Sequence, residues 1–191
     1  MRAGSRALSI FTNALNARVL HAHAEGPLIP AELEEALGWA PQSSLRATVG
    51  KMCEIGALSR VDGGTGLVGA AHELTAGGRE LLPVADALEG WLADGPSGRT
   101  PLDDPAAHGL VRALTAGWDS TIVRALAERP QTLIELSAGI NELNYPALKR
   151  RLVKLRSTHL VTPIVTEAGT AYAASEWLRR GIVPLTLAER W

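Results

Sequence analysis

The chain contains one pattern twice, and this repeat constrains its fold more than any other feature. Eight residues of a first copy recur at one fixed offset, without a gap, in a second copy. They are Ala22, Ala24, Glu25, Pro27, Glu32, Leu33, Leu45 and Lys51, which recur as Ala125, Ala127, Glu128, Pro130, Glu135, Leu136, Leu148 and Lys154. A repeat of this length indicates one folding unit used twice.

Composition narrows the class of protein. The 191 residues are 46% hydrophobic but only 4% aromatic, which indicates an Ala/Leu-rich helical protein large enough for two small cores. Arg supplies nearly all the positive charge, as expected from a GC-rich bacterial genome. The single cysteine excludes an internal disulfide and fits a reducing compartment. No apolar run is long enough to span a membrane and no secretion signal is recognisable, so we expect a cytoplasmic protein.

Periodicity and turn residues predict the same order in each copy, namely three helices followed by a β-hairpin and a closing helix. In the first copy we predict helices over 13–25, 30–38 and 41–56, strands over 57–61 and 69–74 around a tip at 62–66, and a closing helix capped by Thr75. In the second copy we predict helices over 110–116, 119–128 with Asp119 as the cap, 133–139 and from Asn144, strands over 160–165 and 170–174, and a closing helix over 176–189.

Several segments of the first copy resemble HxlR/MarR-type winged helix-turn-helix transcriptional regulators. They are Gly26-Pro27-Leu28, Glu32-Leu33, Ser44-Leu45-Arg46, Gly56-Ala57-Leu58 and Glu73-Leu74-Thr75-Ala76-Gly77-Gly78-Arg79-Glu80-Leu81. In that family a Glu-Leu-Thr-x-x-Gly-Arg-x-Leu segment closes the wing and opens the next helix. The resemblance covers about residues 14–93, and more weakly about 110–191, where the Glu-Leu-Thr segment is missing.

The resemblance implies a mainly α fold with small β-hairpin wings, arranged as two tandem winged helix-turn-helix domains. We place the first domain at 1–93, a proline-rich linker at 94–106 and the second domain at 107–191. It also implies a sequence-specific regulator of transcription, in particular a repressor, that binds double-stranded DNA as a homodimer and often responds to a small-molecule effector.

The third helix of each copy carries the residues that we expect to contact DNA. With Leu148 at the centre of the buried face, the outward arc of the second copy is basic, and the segment from Asn144 to Val161 holds five Lys/Arg and no acid. The arc of the first copy is polar and small. The predicted DNA-binding residues are Gln42, Ser43, Arg46, Lys51, Arg60, Tyr145, Lys149, Arg150, Lys154 and Arg156.

Local charge favours the second copy as the stronger DNA contact. The whole chain has a net charge of −1. Residues 16–60 hold four Lys/Arg and five Glu, whereas residues 118–161 hold seven Lys/Arg and four Asp/Glu. The hairpins are less typical of the family, because Arg60 is the only base beside the first one and the second carries Glu167 without Lys or Arg.

Other residue types give no sign of an enzyme, a metal site or a cofactor. His21 and His23 are two apart on a helix and point about 200° away from each other, so they cannot chelate one ion. We expect Cys53 to be a packing residue, and Trp91, Trp118 and Trp177 to pack between domains or in a dimer. No catalytic triad, phosphate-binding glycine loop or carboxylate pair occurs at a credible position.

Two alternatives to a DNA-binding regulator stay open from the sequence. The near-neutral charge also fits a tandem winged-helix protein-interaction module of the chromosome-condensation accessory type. Alternatively, the junction between the copies could hold a small-molecule site, with DNA binding as its output.

Overall fold

The computed structural model describes residues 3–38, 40–61, 69–167 and 169–191, and these are mainly helical with two small antiparallel sheets. The elements of the first copy are α1 (Ala3–Ile10), α2 (Ala14–Ala22), α3 (Pro30–Ala36), α4 (Gln42–Glu54), β1 (Leu58–Arg60), β2 (His72–Leu74) and α5 (Ala76–Ala93). Those of the second are α6 (Pro105–Thr115), α7 (Gly117–Glu128), β3 (Gln131–Thr132), α8 (Leu133–Gly139), α9 (Tyr145–Ser157), β4 (Val161–Thr166), β5 (Gly169–Ala174), α10 (Glu176–Arg180) and α11 (Ile182–Ala188).

The sequence repeat is also a structural repeat. Helices α3 and α8 begin and end at equivalent residues 103 positions apart, and so do α4 and α9. After the hairpins the shift falls to 100, because α5 begins at Ala76 and α10 at Glu176. The segment that joins the third helix to the closing helix is therefore three residues shorter in the second copy. The elements on either side of this segment keep their order.

The third helix of each copy is fixed by an apolar stripe at helical spacing. Leu148, Leu152 and Leu155 are buried on α9, and Leu45 and Met52 are buried on α4. Helix α4 packs on α2, α3 and β1, whereas α9 packs on α8 and β4. The buried side chains of both copies join in one hydrophobic cluster.

Both predicted hairpins are present, with bounds that differ from the prediction. Strands β1 and β2 pair antiparallel over three residues each, and Leu28 forms an isolated bridge with His72. The predicted tip at 62–66 lies outside the described residues. In the second copy β5 pairs with both β4 and β3, so that this sheet has three strands.

The Thr-x-x-Gly segment of the first copy holds the hairpin against the start of α5. The Thr75 hydroxyl caps α5 by accepting from the Gly78 amide at 2.9 Å, and it donates to the Gly56 carbonyl. A Cβ on Gly78 would overlap the carbonyl group of Ala57. Glycine is required at this position because the backbone of α5 touches the backbone that enters β1.

Most helical bounds differ from the predictions by one to three residues, and three differences are larger. A helix, α1, precedes residue 13, and α6 begins at Pro105, capped by Asp104, so it starts inside the predicted linker. The continuous closing helix over 176–189 is wrong, because it breaks at Gly181. A Cβ on Gly181 would lie 3.3 Å from the Trp91 indole, and Pro184 lacks the amide N–H that would continue the helix across this point.

Two tryptophans join the copies, as predicted for Trp91 and Trp177. Their rings stack with centroids 4.6 Å apart, and each indole N–H donates to the backbone carbonyl of the other residue at 2.8 Å. Helix α1 packs on α6 and α11, and α5 packs on α11. Trp118 is partly buried against the common core.

Two glycine-to-alanine variants of α5 should have opposite effects on stability. Gly78→Ala should lower the free energy of unfolding by about 1–3 kcal/mol, because the added methyl meets backbone that cannot move cheaply. Gly90→Ala, where a Cβ meets nothing within 4 Å, should raise it by about 0.5–1 kcal/mol through helix propensity. Chemical unfolding of both variants measures this difference. Equal stabilities would contradict the close approach at Gly78.

Candidate nucleic-acid interface

Helix α9 presents the largest group of predicted DNA-binding residues on one exposed face. The Asn144 side chain caps the helix by accepting from the Ala147 amide at 2.9 Å, as predicted. Because the leucine stripe faces inward, the predicted outward arc lies in solvent. Its exposed members are Tyr145, Pro146, Lys149, Arg150, Val153, Lys154 and Arg156.

The cations of α9 fall into two groups. Arg151 and Lys154 bind the two carboxylate oxygens of Asp119 on α7, at 2.7 and 3.1 Å. Lys149, Arg150 and Arg156 have no acidic partner among the residues that the structure describes. These three are therefore the positive charges most available to an anionic ligand. Lys154 keeps an exposed ammonium group, but part of its charge is balanced by Asp119.

Asp119 does not cap α7, which corrects the sequence prediction. The cap position is Ala116, and Asp119 lies in the first turn with its side chain directed to α9. Only 7% of the residue is exposed. Burial pushes the pKa of Asp119 upward, but hydrogen bonds and charge from Arg151 and Lys154 outweigh burial, so the pKa lies below its usual value.

Sequence reasoning missed this ion cluster, although the repeat carries a trace of it. At the positions equivalent to Asp119 and Arg151, the first copy has Asn16 and Thr48, both buried. The second copy thus has an acid and a base at two positions that are neutral and buried in the first copy. Such a paired change is the one sequence signal that could have indicated the contact.

The helix before α9 is held by an exposed capping cluster. The Glu135 carboxylate accepts from the Thr132 amide at 2.7 Å and binds Arg129 at 2.9 Å, and these contacts lower the pKa of Glu135 to about 2. In the first copy Glu32 accepts from the Ile29 amide at 2.9 Å. The repeated glutamate thus fixes the start of the second helix in each copy by the same hydrogen bond.

Helix α4 carries the predicted residues of the first copy, and all four are exposed: Gln42, Ser43, Arg46 and Lys51. Only two of them are cations, in contrast to α9. A Cβ on Gly50 would meet nothing within 4 Å. No described neighbour within the chain therefore requires glycine at this exposed position.

A cavity of about 210 Å³ lies behind α4, with Arg46 and Gly50 among its lining residues. His23 and His72 contribute polar atoms to it. Burial lowers the pKa of both histidines, and the charge of Arg60 lowers that of His72 further. His23 also contacts the Val19 carbonyl through Nδ1 at 2.7 Å. The histidines are therefore uncharged at neutral pH, so this wall adds no positive charge to α4.

The hairpins contribute little charge. Arg60 is exposed at the end of β1 and pairs in register with His72. The turn between β4 and β5 carries exposed Glu167, and the preceding Val165 is 93% exposed. The two groups of predicted residues thus lie on α4 with β1 and on α9, in separate helix groups of the two copies.

Other candidate residues have structural surroundings. Burial raises the pKa of the Cys53 thiol, which fits its prediction as a packing residue. Across the described part of the chain, no three His, Cys, Asp or Glu side chains are grouped so that they could hold a metal ion. No helix among those residues is both long and apolar enough to cross a bilayer.

Comparisons with known proteins give no family for this chain. No protein-family model matches it, and no curated protein matches it. The argument for its function therefore depends on the residues and geometry described above.

Replacing Asp119 by Asn should destabilise the fold in a pH-dependent way. At pH 7 the variant should lose about 1–3 kcal/mol of unfolding free energy, because two charged hydrogen bonds are weakened. The native pKa lies below the unfolded value of about 3.9, so this contribution is complete above that pH and is lost as the pH falls through the native pKa. Denaturant unfolding at pH 7 and pH 3 measures it.

Glu142→Gln is the matched control, because Glu142 is exposed and not in an ion pair that the structure describes. Its stability should stay within about 0.5 kcal/mol of the parent. The role assigned to Asp119 is wrong if both variants unfold alike at pH 7.

Proposed function

We propose that the protein is a sequence-specific DNA-binding regulator of transcription, in particular a repressor, that acts in the cytoplasm. In this proposal the chain consists of two tandem winged helix-turn-helix domains, at 1–93 and 107–191. The observation that carries it is the exposed row of cations, Lys149, Arg150 and Arg156, without an acidic partner among the described residues, on the third helix of a repeated three-helix unit. The resemblance of the first copy to HxlR/MarR-type regulators supports the same assignment.

The chemistry of α9 suits the major groove of duplex DNA. The groove is about 12 Å wide and admits one helix, and Arg or Lys can bond the guanine edge in it. In helix-turn-helix proteins the N-terminal part of the recognition helix contacts the bases. Tyr145, Lys149 and Arg150 occupy that part of α9, so we assign them to base contacts and Arg156 to the phosphate backbone.

The two copies are unequal in this function. Helix α9 has three cations that pair with no acid in the described part of the chain, whereas α4 offers Arg46 and Lys51 with small polar neighbours. Arg60 is the one base that we assign to a hairpin contact in the minor groove. We therefore assign most of the binding energy to the second copy.

A cavity between the linker and the second copy favours a ligand-responsive regulator as a second candidate function. Its volume is about 310 Å³, and linker residues 95–98, Leu110, Leu155 and Trp177 are among those that line it. Because Leu155 belongs to α9, a small apolar molecule bound there would act directly on the proposed recognition helix. A thermal-shift screen of metabolites should then give a rise in Tm that grows with ligand concentration.

Binding to duplex DNA should weaken steeply as salt rises. Each neutralised phosphate contributes a slope of about −0.9 to log K against log salt. Lys149→Ala and Arg150→Ala should each reduce the slope by about 1 if the residue contacts a phosphate, or cost about 1–3 kcal/mol and relax specificity if it contacts a base. Titration of duplexes selected from a random library, at several salt concentrations, measures both effects.

Arg112→Ala and Arg190→Ala are the charge-matched controls, since both residues are exposed away from α4 and α9, Arg112 on α6 and Arg190 after the end of α11. They should leave the slope and specificity unchanged. Binding of a protein partner instead of DNA, as in the interaction-module alternative, predicts no selected duplex sequence. Equal losses for the controls and for Lys149→Ala would contradict the assignment to α9.

A further inference from the structure

The contacts between the two copies are reciprocal. The Trp91 indole N–H donates to the Trp177 carbonyl at 2.8 Å, and the Trp191 indole N–H donates to the Gly77 carbonyl at 2.8 Å. With the shift of 100 that holds after the hairpins, Trp91 is equivalent to Trp191 and Gly77 to Trp177. The bond from Trp91 to Trp177 therefore has a counterpart in the bond from Trp191 to Gly77, in which the two copies have exchanged roles.

Reciprocal contact of this kind is the property of an interface with two-fold symmetry. Part of the helix packing has the same property. Helix α1 packs on α6, its equivalent, and α5 packs on α11, which is equivalent to residues 82–88 within α5. Among the described residues, the packing of α1 on α11 is not matched by comparable packing of α6 on α5, so the symmetry is partial. The junction is therefore an approximate two-fold interface formed inside one chain.

The symmetry is also broken at the positions of Gly77 and Trp177. Trp177 stacks on Trp91, but its equivalent is Gly77, so Trp191 has no indole to stack on at that place. A Cβ on Gly77 would lie 3.4 Å from Trp191 Nε1. The small residue lets Trp191 reach the backbone carbonyl, and the hydrogen bond is kept while the stack is lost.

The surfaces that form this junction are buried by contacts within the chain itself. Leu8 on α1 and Phe11 directly after it are fully buried, and on α5 Leu88 is fully buried and Trp91 is 5% exposed. An isologous interface is closed, so no second copy of the same surface remains for another chain. The homodimer implied by the family resemblance would have to use a different surface.

We propose that one chain is the complete DNA-reading unit and binds an imperfect inverted repeat as a monomer. This inference rests on the proposed function. Helix α9 reads one half-site and α4 reads the other, because operator symmetry mirrors the symmetry of the protein. The half-sites differ, because Arg150 of α9 is equivalent to Ala47 of α4, and Tyr145 to Gln42.

The shared positions identify which residues read which half-site. Arg46 of α4 is equivalent to Lys149 of α9, and both are exposed. Arg46→Ala should change base preference in one half of the selected site, and Lys149→Ala in the other half. Each loss should be about tenfold or more for a base contact.

The experiment uses the full chain and measures two quantities, the mass of its complex with DNA and the stretch of DNA that it protects in a footprint. A duplex is selected from a random library, and the complex is measured by sedimentation velocity and native mass spectrometry. We expect one chain per duplex and protection of two half-sites. The two single variants are then compared on duplexes with either half-site scrambled.

A dimer could also form through an exposed apolar surface on α11, where Ile182 is 64% exposed and Val183 is 56% exposed. A double variant at these two positions tests this alternative. Changing both to Ser should leave the mass and affinity of the complex unchanged. Two chains per duplex, or protection of a single half-site, would overturn this inference and leave DNA binding intact. No salt-dependent selection of any duplex would overturn the proposed function, and this inference with it.

Discussion

Burial of one apolar stripe on the third helix of each copy is the constraint on which the rest of the molecule depends. Leu148, Leu152 and Leu155 anchor α9, and Leu45 and Met52 anchor α4. Once these side chains face inward, helical geometry decides which residues face solvent. The same constraint places cations outward on α9 and small polar residues outward on α4, so a single packing solution presents two different surfaces.

The buried carboxylate of Asp119 modifies this surface. It binds Arg151 and Lys154 and so connects α7 to α9. These two cations are then less available to bind an anionic ligand than the other three cations of α9. Burying a carboxylate costs free energy unless it is paired with a positive charge. The paired carboxylate fixes the orientation of α9 relative to α7. The first copy has no such cluster, since Asn16 and Thr48 occupy the equivalent positions. The two third helices therefore differ in how they are held as well as in charge.

Joining the copies in one chain has a consequence for their divergence. In a symmetric homodimer every substitution appears in both subunits. Here Gly77 and Trp177 occupy equivalent positions with different roles, and the interface keeps both indole-to-carbonyl hydrogen bonds. The outward faces of α4 and α9 are likewise free to differ. Divergence of this kind suits a chain that reads two unequal half-sites.

The sequence by itself determined the repeat, the order of the elements and the faces of the third helices. The bounds of α8 were predicted to the residue, and the caps Thr75 and Asn144 were identified, because caps and apolar spacing act over a few neighbouring residues. The outward arc of α9 followed from the same local periodicity.

The tertiary structure alone decided which side chains meet across long separations. The bonds of Asp119 to α9 and the paired indoles of Trp91 and Trp177 join residues that are 32 to 86 positions apart. Nothing in local spacing specifies such partners, because they depend on how complete helices pack. Charge count from sequence therefore does not reveal that the Lys154 ammonium group is shared with a carboxylate from another helix.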